Sequence, residues 1–251
     1  MKLLTAFSMA FGMFCAIPNP VKRWDESLRP LQLVCFPFVG AIIGGLWALA
    51  AWILQRLQFT GLLASALLTA IPLLLTGFIH LDGFMDCCDA IYSRRDLETR
   101  QKILKDSQCG AFSVIHLAIY LLLFAASMER AQQIPWALLF IPVAVRCVSA
   151  LSVATRAPLQ TSQYAGKMQY HGGHIAAISI TLVLSLCIPV LWLGIAGLCA
   201  AAAALTALLS ANFGIRQLGG MSGDISGFAI TRGELGGVLT LAVLHWVGGL
   251  L

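Results

Sequence analysis

The chain is built from apolar runs of about twenty residues separated by short polar segments. Runs at about 31–54, 61–79, 111–128, 135–154, 175–188, 191–211 and 235–251 carry almost no charge. That length suits a bilayer core about 30 Å thick. In lipid every backbone N–H and C=O needs an internal partner, which leaves helices or closed barrels. Long apolar runs without alternation favour helices. Charged residues make up 11% of the chain, well below the roughly 25% of soluble domains. The sequence therefore predicts an all-α polytopic membrane protein, a single domain over residues 1–251, with about seven to eight membrane segments. A further apolar stretch, 3–18, is closed by Pro18-Asn19-Pro20 and reads as a short membrane helix or one lying in the interface. It has one lysine and no small-x-small cleavage site, so it is read as mature protein rather than as a signal peptide.

Basic residues orient the chain. The segments 19–30, 80–108, 155–173 and 212–234 fall on one side and carry twelve Lys and Arg, against Arg56 and Arg130 on the other. The positive-inside rule makes the basic side cytoplasmic, which predicts the cell's inner membrane with the active site facing the cytoplasm. All acids but Glu129 fall on that side. The net charge of +5 is scattered, which argues against a nucleic-acid partner; the expected partner is the bilayer, and homo-oligomerisation stays open. Within the runs, Gly40, Gly44 and Gly45 permit close helix approach. Pro37 is expected to kink its helix, and Pro189 to form the hinge between the sixth and seventh runs. The cysteines read as small hydrophobes or reduced thiols; no C-x₂₋₄-C pair supports zinc.

The candidate chemistry centres on HLDGFMDCCD, His80 to Asp89. On a helix Asp86 lies about 40° from Asp82 and Asp89 about 20° to the other side, so all three share one stripe. Clustered carboxylates repel one another, and Mg²⁺ is the cation that would relieve them, a hard ion bound through oxygen. A solvated helix end is the plainer reading; apolar residues interleave this stripe, and polar groups against a membrane are expensive and usually functional. Lys105-Asp106-Ser107 and the GGMSGD loop, Gly219 to Asp224, follow on the same side. Glycines there let backbone N–H groups approach phosphate, and Asp224 adds a further carboxylate. Arg146, inside an apolar run, is either a phosphate ligand or the partner of a buried acid. His116 and His245 read as packed core residues, and His171 and His174 as loop residues. Ser107 has no histidine at a spacing that would make it a nucleophile.

Four blocks, FPFVGAIIGG, GFIHLDGFMDCCDA, KILKDSQCGAFSV and LGGMSGDISGF, occur in the order found in cobalamin synthases, the adenosylcobinamide-GDP ribazoletransferases. The chain resembles that family over nearly its whole length. The resemblance implies Mg²⁺-dependent joining of α-ribazole, or its 5′-phosphate, to adenosylcobinamide-GDP with release of GMP. It carries catalytic or metal roles to His80, Asp82, Asp86, Asp89, Asp106 and Asp224. Substrate-binding roles fall on Lys105, Ser107, Gly219, Gly220 and Gly223, with Arg146 as a further phosphate contact. Three departures stand out: CAIPNP at Cys15 to Pro20 lacks the family's arginine, Gln108 replaces a basic residue, and QYAGKM at Gln163 to Met168 is a loose echo of the family loop. Two other classes share parts of this pattern. A CDP-alcohol phosphotransferase also clusters membrane aspartates, but no Ala-Arg follows Asp82-Gly83 at its spacing. A cation-coupled transporter would favour acids near the midplane.

Overall fold

The computed structural model describes residues 1–21, 23–159 and 170–248. Lys22, Lys167 and the Gln163–Met168 echo lie outside them. Ten helices run in order among the described residues: α1 Lys2–Phe14, α2 Arg29–Arg56, α3 Leu62–Leu75, α4 Ile79–Tyr92, α5 Leu97–Ile103, α6 Ala111–Ala131, α7 Phe140–Thr155, α8 Gly172–Leu193, α9 Leu198–Leu218 and α10 Gly223–Gly248. Five helical stretches are long and apolar enough to cross a membrane, or six if the bent pair α3–α4 forms one crossing. The protein is thus a multi-pass helical membrane protein, with fewer qualifying stretches than the seven to eight segments the sequence predicts. One reason is that Gly172–Leu218 qualifies as a single 47-residue stretch. Another is that α1, at 13 residues, rises only about 20 Å.

Small residues set the packing. Two membrane helices are equally apolar to lipid, so association depends on close van der Waals fit. A Cβ on Gly40 would stand 2.6 Å from the Pro142 carbonyl oxygen, and one on Gly44 would collide with that of Leu139. The two glycines thus seat α2 against α7 and the 3₁₀ turn Pro135–Leu139. Gly45, which the sequence groups with them, has only a Leu139 methyl near it. α10 lies at the centre, packed on α9, α4, α6 and α7. Its Gly233 and Gly237 face Val145 of α7 and Ala203 of the alanine-rich α9.

Four local expectations change. Pro189 sits inside α8, and the chain reverses at Gly194 to Gly197 instead, where Gly194 adopts φ +61° and Gly197 presses on the Pro189 backbone. The segment 80–108 is largely helical, as α4 and α5. α3 and α4 meet at 93° through Gly77 and Phe78, both left-handed at φ +59° and +64°. Glu234, which closes a cytoplasmic loop in the sequence reading, lies well inside α10, which begins at Gly223.

Glu234 explains Arg146. The Arg146 Nη1 donates to Glu234 Oε1 at 2.9 Å and to the Pro142 carbonyl at 3.1 Å, with the side chains 0% and 6% exposed. The guanidinium also stacks over Phe36 at 5.7 Å. Of the two partners the sequence leaves open for Arg146, the structure supplies the buried acid, because an unpaired charge there is prohibitive. Asp89 is similarly occupied. Its carboxylate accepts from the Gly110 N–H at 2.5 Å and the Ser113 N–H at 3.0 Å, closing the N-terminus of α6. Four N–H groups lack partners at such an end, and a carboxylate there also meets the positive pole of the helix.

Removing one partner of the buried pair, as in Glu234→Gln or Arg146→Met, should lower stability by roughly 3–5 kcal/mol. The double change Arg146→Met with Glu234→Leu should cost less than the two single changes summed, as read by thermal unfolding in detergent. Asp89→Ala should cost about 1–2 kcal/mol, while Asp89→Asn, whose one amide oxygen keeps one of the two N–H bonds, should cost less. Equal losses for the two Asp89 variants would contradict the capping role.

Candidate active site

Two backbone crossings build the site. A Cβ on Gly83 would lie 2.8 Å from Asp224 Cα, and one on Gly227 would lie 2.7 Å from the His80 carbonyl oxygen. α4 and the start of α10 therefore touch main chain to main chain, a fit open only to glycine at those positions. Thr231 adds a hydrogen bond to the His80 carbonyl at 3.1 Å. The acids beside the glycines, Asp82 and Asp224, are carried onto one wall by this crossing. A parallel bridge, in which Met221 N–H donates to Ala157 O and Leu159 N–H to Met221 O, both at 2.8 Å, holds the glycine loop to the end of α7.

That wall lines a cavity of about 460 Å³. The N-terminal end of α2, the start of α4, the end of α7 and the start of α10 contribute to it, with Met13 and Phe14 from α1. Its charged side chains are Arg29, Arg156, Asp82 and Asp224, with His80 beside them and Ser149, Ser222 and Ser226 as hydroxyls. His80 is 6% exposed, its ring 6.0 Å from Phe14 and 5.9 Å from Phe36, and its Nε2 has no hydrogen-bond partner among the described residues. Arg156 holds Asn212 at 3.1 Å, and Arg29 pairs with Glu26. Tyr170 closes the cavity near Arg29; burial pushes its phenol up, and the arginine charge works against that shift. A second cavity, about 510 Å³, runs from Met13 to Ala16 past the Thr76–Ile79 bend, and meets the first at Asp82.

The sequence-predicted residues divide. His80, Asp82, Gly223 and Asp224 line the first cavity. Asp86 stands on α4, half-buried, near enough to Asp82 and Asp224 to feel their charge. Asp89 shares the stripe, but seven residues at 1.5 Å rise put it about 10 Å along the axis from Asp82, while Mg²⁺ binds oxygen at about 2.0–2.1 Å. Sharing a helix face is not sharing an ion. Lys105, Asp106 and Ser107 are exposed after α5 and line neither cavity. Gly219, at φ +90°, ends α9 beside Gln101, and Gly220 packs on the Leu159 backbone; neither lines the two cavities. His171 and His174 cap α8. Arg29, Arg156, Tyr170 and the α1 residues are missed by sequence reasoning. Their only signal was a position at the basic ends of apolar runs, where the arginines served as topology markers.

Among the described residues no three of His, Cys, Asp and Glu form a ready metal cage. The donor set nevertheless fits Mg²⁺, which usually keeps several waters and takes one or two carboxylates together with substrate phosphates. Asp82 and Asp224 on one wall supply the carboxylates. Arg29 and Arg156 supply the cations that recognise phosphate oxygens.

Comparison with known proteins identifies the family. The family model described as cobalamin-5-phosphate synthase matches residues 6–242. An adenosylcobinamide-GDP ribazoletransferase of Clostridium perfringens (strain 13 / Type A) is 36% identical over 248 residues, covering 95% of this chain and 98% of the relative. Proteins of the same name from Lachnoclostridium phytofermentans and Halalkalibacterium halodurans are 33% and 31% identical, covering 98% and 92% of this chain and 97% and 93% of theirs. No solved structure matches. The chain belongs to the cobalamin-5-phosphate synthase family.

Proposed function

We propose that the chain transfers the adenosylcobinamide phosphate of adenosylcobinamide-GDP to α-ribazole, or to its 5′-phosphate, with release of GMP. The observation that carries this reading is the gathering of Asp82, Asp224, Arg29 and Arg156 in one cavity at one end of the helix bundle. A diphosphate needs cations around its oxygens, and this reaction needs little covalent chemistry from the protein beyond positioning and charge. A ribose hydroxyl of the acceptor attacks the cobinamide-side phosphorus. The bond from that phosphorus to the bridging oxygen breaks, and GMP leaves with the electron pair. Asp82, Asp224 and His80 are the cavity groups able to receive the hydroxyl proton.

Arg29 and Arg156 hold the phosphate oxygens, and the first-turn N–H groups of α10 at Gly223 favour the same charge. Asp82 and Asp224 would hold a Mg²⁺ ion, which supplies charge neutralisation on the diphosphate and the departing GMP. The membrane arrangement follows from the hairpin at Gly194. Counting α8 and α9 as two crossings, and α3–α4 as one, gives seven, with α1 as an eighth short segment. The cavity then opens on the side where the basic residues concentrate, which is the cytoplasmic face by the positive-inside rule.

Asp82→Asn and Asp224→Asn should each lower GMP release by roughly 10²- to 10³-fold while the protein still inserts in the membrane. Chelation of divalent ions should abolish release, and added Mg²⁺ should restore it. Unchanged turnover in both variants would refute the assignment. Assays need purified protein, adenosylcobinamide-GDP and α-ribazole, with no ion gradient.

A further inference from the structure

The 460 Å³ cavity is sorted by burial. Asp82 and Arg156 are exposed, whereas Phe36 is 1% exposed and His80 6%. Phe14, Leu33 and Val153, partly buried, continue the Phe36 wall. The inner end is therefore largely carbon, and the charged groups stand towards the opening. The inner polar groups among the described lining residues are His80, whose Nε2 has no partner, Gln32, whose amide donates to the Met13 sulfur at 3.6 Å, and Ser149, whose hydroxyl is already bonded to that of Ser226.

Resting on the ribazole-transfer reading, we propose that this inner wall is the subsite for the acceptor's base, and that it sets which bases are accepted. The two substrates of the reaction bring two heterocycles, guanine and dimethylbenzimidazole. Guanine carries an edge of donors and acceptors that would be left unpaired against Phe14, Leu33, Phe36 and Val153, at the full cost of desolvation. Dimethylbenzimidazole has two methyl groups, no donor once it is glycosylated, and one ring nitrogen acceptor. The wall offers carbon to the methyls, and the one ring nitrogen is a far smaller polar load to bury than guanine's edge. With the base held inside, the acceptor's ribose extends outward to Asp82 and Asp224. The corrinoid, larger than either cavity, stays outside and presents only its diphosphate to the opening. The neighbouring 510 Å³ space, which shares Asp82, is left to the guanosine end.

The test is a comparison of acceptors that differ only in the methyl groups: α-ribazole and the α-riboside of unsubstituted benzimidazole, with adenosylcobinamide-GDP as donor. Val153→Phe, which fills part of the apolar wall, should lower kcat/KM for α-ribazole at least about tenfold. It should affect the unsubstituted acceptor less than about threefold, and leave KM for adenosylcobinamide-GDP within about twofold. Equal loss with both acceptors, or a rise confined to KM for the GDP substrate, overturns the assignment. Val153→Ala, which enlarges the space, should do the opposite and admit a bulkier naphthimidazole riboside; unchanged selectivity in a folded Val153→Ala protein also overturns it. Equilibrium binding of the two ribosides separates this proposal from the functional reading. If the unsubstituted protein releases no GMP, the reading fails, yet preferential binding of α-ribazole that Val153→Phe removes would still place an aryl base at this wall. No such preference would reject the subsite.

Discussion

Direct contact between the backbones of α4 and α10 is the constraint on which the site depends. Each helix brings a glycine to the crossing, Gly83 and Gly227, and each has a carboxylate close by. A side chain at either glycine would push the helices apart by the thickness of a methyl group or more. Interiors close-packed to this degree transmit such a shift rather than absorbing it. Asp82 and Asp224 would then face different spaces. In a membrane, where helices gain nothing by hiding apolar surface from lipid, this kind of contact is also what holds the bundle together. The same small residues thus serve association and chemistry.

The buried charges show how the two demands are kept apart. Arg146 Nη1 and Glu234 pair deep between α7 and α10, with Arg146 Nε and Nη2 unpartnered among the described residues, and Asp89 caps the N-terminus of α6. All three are charged residues buried among apolar neighbours, the kind of feature that marks function in membrane proteins. Here each meets a structural partner. Asp82 is exposed to the cavity instead, and its carboxylate has no hydrogen-bond partner among the described residues.

Much of the fold was legible in the sequence, because apolar run length reports helices crossing a bilayer directly. The helical stripe of Asp82, Asp86 and Asp89 was also legible, since periodicity reports which residues share a face. Position along the axis matters as much, and it separates Asp89 from Asp82 by two turns. The bend at Gly77 and Phe78 was hidden inside one apolar run, because a non-glycine left-handed residue has no signature in composition. Gly219 and Gly220 looked like a phosphate loop but serve packing, since a glycine near an acid has the same appearance in either role. Arg29, Arg156 and Tyr170 come from three separate segments, and only the tertiary crossing unites them. The arginines' charge had already been given to topology, which masked a second use.

The right-angle bend between α3 and α4 has a consequence for the host bilayer. α3 has 14 residues and rises about 21 Å, short of a hydrocarbon core of about 30 Å. Where α3 follows the bilayer normal, α4, turned 93° from it, adds almost nothing to that depth and runs close to the plane of the sheet of lipids. The acyl layer next to α3 must therefore thin, or the helix must shift along the normal, to keep its ends wet. Either adjustment moves the platform that carries Asp82. Acyl chain length becomes a parameter of catalysis, felt through hydrophobic mismatch at a cost of fractions of a kcal/mol per Å.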